Sequence, residues 1–156
     1  MEIAGLPLHA LVIHAAVVFT PLAVLAAVTF AVLPRWRYLT RWPAVVLTVV
    51  ALGSVWLARF SGNALVEERP ELAPLVTDHQ SRGNLLSLLM VLFTVVVLAA
   101  AWSLGGASGL VSGRGGRPSR VAALDTVLMV AVVLSAVLVL AWVFLTGDAG
   151  SRAVWG

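Results

Sequence analysis

Residues 85–104 read LLSLLMVLFTVVVLAAAWSL, an apolar run without a charged residue, a glycine or a proline. A helix of about 20 such residues is long enough to cross the hydrocarbon core of a bilayer. Three further apolar runs occupy residues 8–33, 44–60 and 121–145. None shows the polar–apolar alternation of a membrane β-barrel strand. The pattern predicts an all-α fold, in which residues 1–156 form a single integral membrane four-helix bundle.

The composition excludes a water-soluble domain and several classes of site. Hydrophobic residues make up 61% of the 156 residues and charged residues 11%, with a mean hydropathy of +1.04, whereas soluble domains average about 45–50% and about 25%. Cysteine is absent, which rules out disulfides, iron–sulfur clusters, thiolate metal sites and covalently attached haem within the chain. The net charge of +3 comes with no basic run, so nucleic-acid binding is not expected.

The first apolar run is expected to remain as a membrane span. It is too long for the hydrophobic region of a signal peptide, and Met1–Ala4 contains no positive charge ahead of it. With the first run retained, all four apolar runs are expected to lie in the lipid bilayer, which is therefore the predicted partner of the protein.

The arginines predict the orientation. Six of the ten lie in the two loops that join the first span to the second and the third to the fourth, and these loops carry no acid: Arg35, Arg37, Arg41, Arg114, Arg117 and Arg120. Because arginine-rich short loops stay in the cytoplasm, both termini and the loop 61–80 are expected outside the cell membrane. Tryptophans mark the predicted boundaries, with Trp36, Trp42 and Trp102 near the inner one and Trp56, Trp142 and Trp155 near the outer one.

All three histidines fall on the predicted outer side. His9 and His14 lie on the first span, and five residues of helix turn them about 140° apart, so they cannot form one facing pair. His14 lies about 12 Å along the helix, inside the outer leaflet, where an ionisable side chain normally faces the bundle interior. We therefore expect His14 to be buried against the third and fourth spans. His79 is expected in the first turn of a third helix that begins near Asp78.

Two interpretations of these histidines remain open. In the first, His14 and His79 are the axial ligands of a b-type haem between spans one and three, and His9 lies beside them. Glu67, Glu68 and Asp148 form a supporting polar cluster, and no metal other than haem iron is expected. In the second, the histidines only form hydrogen bonds between helices, and the acidic residues are solvated charges.

Three segments resemble a known family. They are GLPLHALVIH at residues 5–14, the outer stretch from Gly62 through Glu67 and Glu68 to His79 and Gly83, and GDAGSRAVW at residues 147–155. On these segments the chain is similar to the prokaryotic membrane-protein family catalogued as domain of unknown function 2231, especially its short actinobacterial members. The chain departs from the family pattern at Ala10, where many members have proline, and at Ala149 and Ser151, where serine and alanine are exchanged.

The resemblance implies a bacterial four-helix membrane protein without an assigned reaction. Some members are similar to the membrane part of proteins that carry Rieske or cytochrome c-like domains, which implies electron transfer and a redox-protein partner. The sequence therefore favours a haem-binding or electron-transfer module. The alternatives are a non-catalytic accessory subunit whose outer polar patch docks a membrane-complex partner, and an enzyme or small transporter that uses His14 and Asp148 in proton chemistry. No nucleophile constellation or phosphate loop supports the last of these.

Overall fold

The computed structural model describes residues 2–3, 6–109 and 115–155. A short antiparallel pair, β1 (Glu2–Ile3) and β2 (Leu6–Pro7), precedes four long helices. The helices are α1 (Leu8–Val32), α2 (Arg37–Glu68), α3 (Ala73–Ser103) and α4 (Asp125–Trp155). Short 3-10 turns at Pro34–Trp36, Pro70–Leu72 and Ala122–Leu124 precede α2, α3 and α4. The predicted all-helical fold with four helices is confirmed.

The four helices form a closed bundle with one helix at each corner. α1 packs most extensively on α2 and α3 on α4, and contacts between α2 and α3 and between α1 and α4 close the ring. α1 and α3 therefore occupy opposite corners. The start of α1, the end of α2, the start of α3 and the end of α4 come together at one end of the bundle.

The interior is built from small residues that allow the helices to approach closely. Ala23, Ala27, Ala51 and Ala136 are fully buried, and Phe30 and Phe93 are the largest of the fully buried side chains. Close packing of small residues is how helices associate in a bilayer, where burial of apolar surface gives no advantage over lipid. The outer surface is apolar as well, with Leu25 and Phe144 each about two-thirds exposed (65% and 68%). All four helices are long and apolar enough to cross a membrane.

Three helices are longer than their predicted spans. α2 covers residues 37–68 where the apolar run covers 44–60, α3 begins at Ala73 instead of near Asp78, and α4 continues to Trp155. At about 1.5 Å per residue these helices are about 46–48 Å long, which exceeds a hydrocarbon core of about 30 Å. Hydropathy marks only the part of a helix that lies in lipid, so the polar ends were missed. Thr77, one residue before the expected start of this helix, lies inside α3, and its hydroxyl donates to the Ala73 carbonyl at 3.0 Å.

The two ends of the bundle differ in chemistry. We call the end that carries His9, His79, Ala58 and Thr146 the histidine end. The opposite end is the arginine end, where Arg37, Arg41, Arg117 and Arg120 surround the last turns of α1 and α3. Arg37 is buried there and donates from Nε to the Phe30 carbonyl (3.1 Å) and from Nη2 to the Ala31 carbonyl (2.9 Å). Arg37 thereby satisfies carbonyls that the last turn of α1 leaves without helical partners.

Candidate functional site

The imidazole of His9 reaches from the first turn of α1 to the last turns of α2. Its Nδ1 lies 2.9 Å from the carbonyl oxygen of Ala58 and 3.1 Å from the hydroxyl oxygen of Ser61. The Ser61 hydroxyl itself donates to the Ala58 carbonyl at 3.0 Å, so its oxygen can accept from His9. A carbonyl oxygen only accepts, which means that Nδ1 of His9 carries a proton.

The imidazole of His79 makes the corresponding contact between α3 and α4. Its Nδ1 lies 2.9 Å from the carbonyl oxygen of Thr146 and therefore also carries a proton. His79 lies in the second turn of α3, not in the first as the sequence suggested, because α3 begins at Ala73. Both histidines are partly buried.

A glycine stands four residues after each accepting carbonyl. A Cβ atom at Gly62 would lie 2.9 Å from Cε1 of His9, and one at Gly150 would lie 3.0 Å from Cε1 of His79. The Cα–Cβ bonds of a helix tilt toward its N-terminus, so the side chain at position i+4 stands over the carbonyl at position i. Gly62 and Gly150 thus leave the carbonyls of Ala58 and Thr146 open to an imidazole. The α1–α2 and α3–α4 hairpins build the same arrangement twice.

The two imidazoles meet across the bundle from opposite corners. Their ring centres are 6.2 Å apart, and the ring planes are inclined by 77°. Because Nδ1 is the protonated nitrogen in each ring, the lone pair of the neutral imidazole is on Nε2. Nδ1 bound to a backbone carbonyl with Nε2 left as the basic nitrogen is the usual orientation of a metal-binding histidine.

The prediction that His14 is buried against the third and fourth helices is wrong. Its side chain is exposed on the surface of α1, whereas His9 faces the bundle. The reason is the rotation of about 140° between positions five residues apart on a helix: when His9 points inward, His14 points outward. The structure thus replaces the expected pair of His14 and His79 by His9 and His79.

The acidic residues expected around the site lie on its periphery. Glu67 and Glu68 are the exposed last two residues of α2. Asp148 lies inside α4 and forms an ion pair with Arg152, one helical turn further along. Nη2 of Arg152 lies 3.0 Å from Oδ2 of Asp148. An open groove of about 300 Å³ runs beside this pair between α3 and α4, and Asp78 and Arg82 also line it. These residues surround the histidine end.

The donor set is limited to two imidazoles. Within residues 2–3, 6–109 and 115–155, no group of three or more histidine, cysteine or acidic residues is close enough to hold a metal ion. A group bound here would therefore depend on two nitrogen ligands. The sequence predicted His9 only as a neighbour of the ligand pair, and it indicated no role at this site for Gly62 or Gly150. The spacing of four residues between Ala58 and Gly62, repeated between Thr146 and Gly150, is the signal that could have identified them.

Comparison with known proteins adds no relative: no family model, curated protein or solved structure matches this chain. The resemblance to the uncharacterised membrane family therefore stays a prediction.

Proposed function

We propose that His9 and His79 are the axial ligands of a b-type haem and that the protein is a membrane electron-transfer module. The observation that carries the proposal is the distance between the two rings. An imidazole–metal bond is about 2.0–2.1 Å long and a ring nitrogen lies about 1.1 Å from its ring centre, so two imidazoles bound to opposite sides of one metal would have centres about 6.2–6.4 Å apart. The separation of His9 and His79 is 6.2 Å.

The chemistry of the surrounding residues also fits. Imidazole is a common haem ligand, and haem needs only two axial positions. The carbonyls of Ala58 and Thr146 lie within hydrogen-bond distance of Nδ1 of the two rings, which fixes the tautomer and orientation of each ring. Beside His79, the Thr146 hydroxyl is buried and has no hydrogen-bond partner among the described residues, which leaves a polar atom for a bound group.

The position of His9 allows a flat ring to enter. The two imidazoles are in edge-to-face contact, so binding of one haem by both would require each ring to turn until its Nε2 faces the iron, at nearly the same distance between the ring centres. His9 lies in the first turn of α1, and Thr20 is the first buried residue among the positions of α1 whose burial is described. Haem entry would therefore call for a movement of the first turn of α1 and not of the buried core.

A bound haem supplies a one-electron redox centre at the histidine end. The protein's own contribution is to hold the imidazoles of His9 and His79, which come from helices at opposite corners of the bundle, and to surround them with the ends of the four helices. The arginine distribution predicts that the arginine end lies in the cytoplasm, and we accordingly assign the histidine end and its redox partner to the outer side of the membrane.

The test is the visible spectrum of the protein purified in detergent and titrated with haem. We expect a Soret band at one haem per chain with the spectrum of a low-spin bis-imidazole complex. His9→Ala and His79→Ala should each abolish that spectrum, and His14→Ala is the matched control that should retain it. A protein that binds no haem, or one in which His14→Ala is as damaging as His9→Ala, would overturn the proposal.

A second candidate function is the docking of a partner at the groove beside α3 and α4. The specific observation is that two exposed acids and two arginines, Asp78, Asp148, Arg82 and Arg152, line one groove at the histidine end. Asp148→Asn combined with Arg152→Gln should then abolish co-purification of a membrane complex while it leaves the haem spectrum unchanged.

A further inference from the structure

Three arginines converge on the last turn of α3 at the arginine end. Nε of Arg41 donates to the Ala101 carbonyl at 2.9 Å, and Nη2 of Arg117 donates to the Trp102 carbonyl at 3.2 Å. The guanidinium of Arg120 stacks over the ring of Trp102, with its carbon 5.0 Å from the ring centre. We call Arg41, Arg117 and Arg120 the arginine triad.

The linker after α3 holds two members of the triad in place. Gly106 and Arg117 exchange both backbone hydrogen bonds at 2.9 Å, and the Arg120 amide donates to the Ser103 carbonyl at 2.9 Å. Gly105 is required for this fold-back, because a Cβ atom there would lie 2.6 Å from the Ser119 nitrogen. Backbone hydrogen bonds of the linker thus hold Arg117 and Arg120 at the end of α3. The guanidinium donors that do not bind Trp102 are available for a ligand.

The triad retains an excess of positive charge. The C-terminus of α3 contributes about half a negative charge. Asp125 is the single acid that the sequence places near this end, and its Oδ1 accepts from the Ser119 hydroxyl at 2.6 Å. One carboxylate and a partial helix charge do not neutralise three guanidinium groups. The loops of a membrane protein need positive charge to set their orientation, but that role does not require the charges to be anchored around one helix end.

Exposed tryptophans place the triad at the level of lipid headgroups. Trp102 and Trp42 are 55% and 64% exposed, and the Arg41 guanidinium carbon lies 5.3 Å from the centre of the Trp42 ring. Tryptophans on the surface of membrane helices concentrate at the interface between hydrocarbon and water. The phosphates of the lipids lie at the same depth.

We propose that the arginine triad binds the phosphate of an anionic glycerophospholipid. Guanidinium groups match phosphate oxygens with paired hydrogen bonds, and basic pockets between helices at the cytoplasmic side are sites for anionic lipid headgroups. The lipid is the source of the phosphate because Trp42 and Trp102 offer apolar surface for its glycerol and acyl chains beside the charged group. This binding site is independent of the histidine end.

The test measures lipid retention on the detergent-purified protein by native mass spectrometry. Phosphatidylglycerol and phosphatidylcholine with identical acyl chains are compared, and we expect a preference for phosphatidylglycerol. Arg120→Gln should weaken phosphatidylglycerol binding about fivefold, the effect of one arginine near an anionic headgroup. Arg117→Gln is a second variant, and Arg120→Lys should restore part of the binding. Arg35→Gln is the matched control, since Arg35 is exposed at the same end of the bundle.

Three results would overturn the proposal. The first is equal retention of the two lipids by the unaltered protein. The second is a loss of binding in Arg35→Gln as large as that in Arg120→Gln, which would show diffuse attraction to the whole end. The third is a thermal stabilisation by inorganic phosphate, at matched ionic strength, as large as that by phosphatidylglycerol, which would identify a site for a soluble anion. Circular dichroism of each variant confirms that it is folded before binding is scored.

Discussion

His9 and His79 contact each other edge to face across the diagonal of the bundle, with ring centres 6.2 Å apart. His9 lies on α1 and His79 on α3, and these two helices do not pack extensively on each other. The contact between the rings therefore depends on the neighbouring helices that hold each imidazole. The holding elements are one backbone carbonyl and one glycine on the neighbouring helix in both halves. All four helices therefore take part in positioning the two side chains, and Ser61 adds a second partner for His9.

The glycines at the histidine end provide the first prediction. Gly62→Ala and Gly150→Ala should each displace an imidazole, because the added Cβ would lie 2.9 or 3.0 Å from it and would cover the carbonyl that it binds. We expect a loss of about 1 kcal/mol in the free energy of unfolding, the value of one hydrogen bond, together with weaker haem binding. Reversible unfolding in detergent and haem titration measure the two effects.

The same helices contain matched controls for these variants. A Cβ at Gly53 in α2 or at Gly147 in α4 would have no other atom within 4 Å. Gly53→Ala and Gly147→Ala should therefore stabilise the protein by up to about 1 kcal/mol through helix propensity alone. Equal effects of all four substitutions would contradict the assignment of Gly62 and Gly150 to the site.

The second prediction concerns Arg37. Its guanidinium donates to Phe30, Ala31 and Gly105 carbonyls, and the side chain is 7% exposed. Hydrogen bonds from charged donors are worth about 1.5–3 kcal/mol each, and glutamine cannot reach all three acceptors. Arg37→Gln should lower the free energy of unfolding by about 2–4 kcal/mol, measured by denaturation in detergent. Arg35→Gln, at an exposed position two residues away, should change it by less than about 0.5 kcal/mol.

The third prediction separates the two histidines of α1. His14 is exposed on α1, so His14→Leu should leave the free energy of unfolding within about 1 kcal/mol of its original value and should not change cofactor binding. His9→Leu should lose the bonds to Ala58 and Ser61, at a cost of about 1 kcal/mol or more, and should lose the cofactor. Loss of the cofactor in His14→Leu with retention in His9→Leu would reverse the assignment.

The fourth prediction is the orientation of the bundle in the cell membrane. A reporter that is active only outside the cytoplasm should work when fused at Gly156, and a reporter that is active only in the cytoplasm should work when fused at Gly113. The reason is that short arginine-rich loops stay in the cytoplasm. The structure brings the start of α1 and the end of α4 to the same end of the bundle, so the two termini share one side. A cytoplasmic reporter signal at Gly156 would place the histidine end inside the cell.

The sequence by itself determined the number and type of the helices. Residues 85–104 and the three other apolar runs are long enough to span a bilayer. Within lipid, a single chain segment can form all of its backbone hydrogen bonds only as a helix. The same physics made the predicted ends unreliable, since the long apolar runs do not mark the turn Ala73–Asp78, which a polar stretch separates from the main run, or the polar turn Gly147–Arg152 that continues α4.

Only the tertiary structure decided which histidine faces the bundle. α1 is apolar on all sides, so its sequence contains no polar face from which the rotation about its axis could be inferred. The rotational angle follows from packing: Gly62 opens the Ala58 carbonyl on α2, and His9 is the residue positioned to bind it. Depth in the membrane suggested His14 because burying an imidazole there requires a partner. Once α1 docks against α2 with His9 inward, the helical rotation of about 140° leaves His14 on the outer surface.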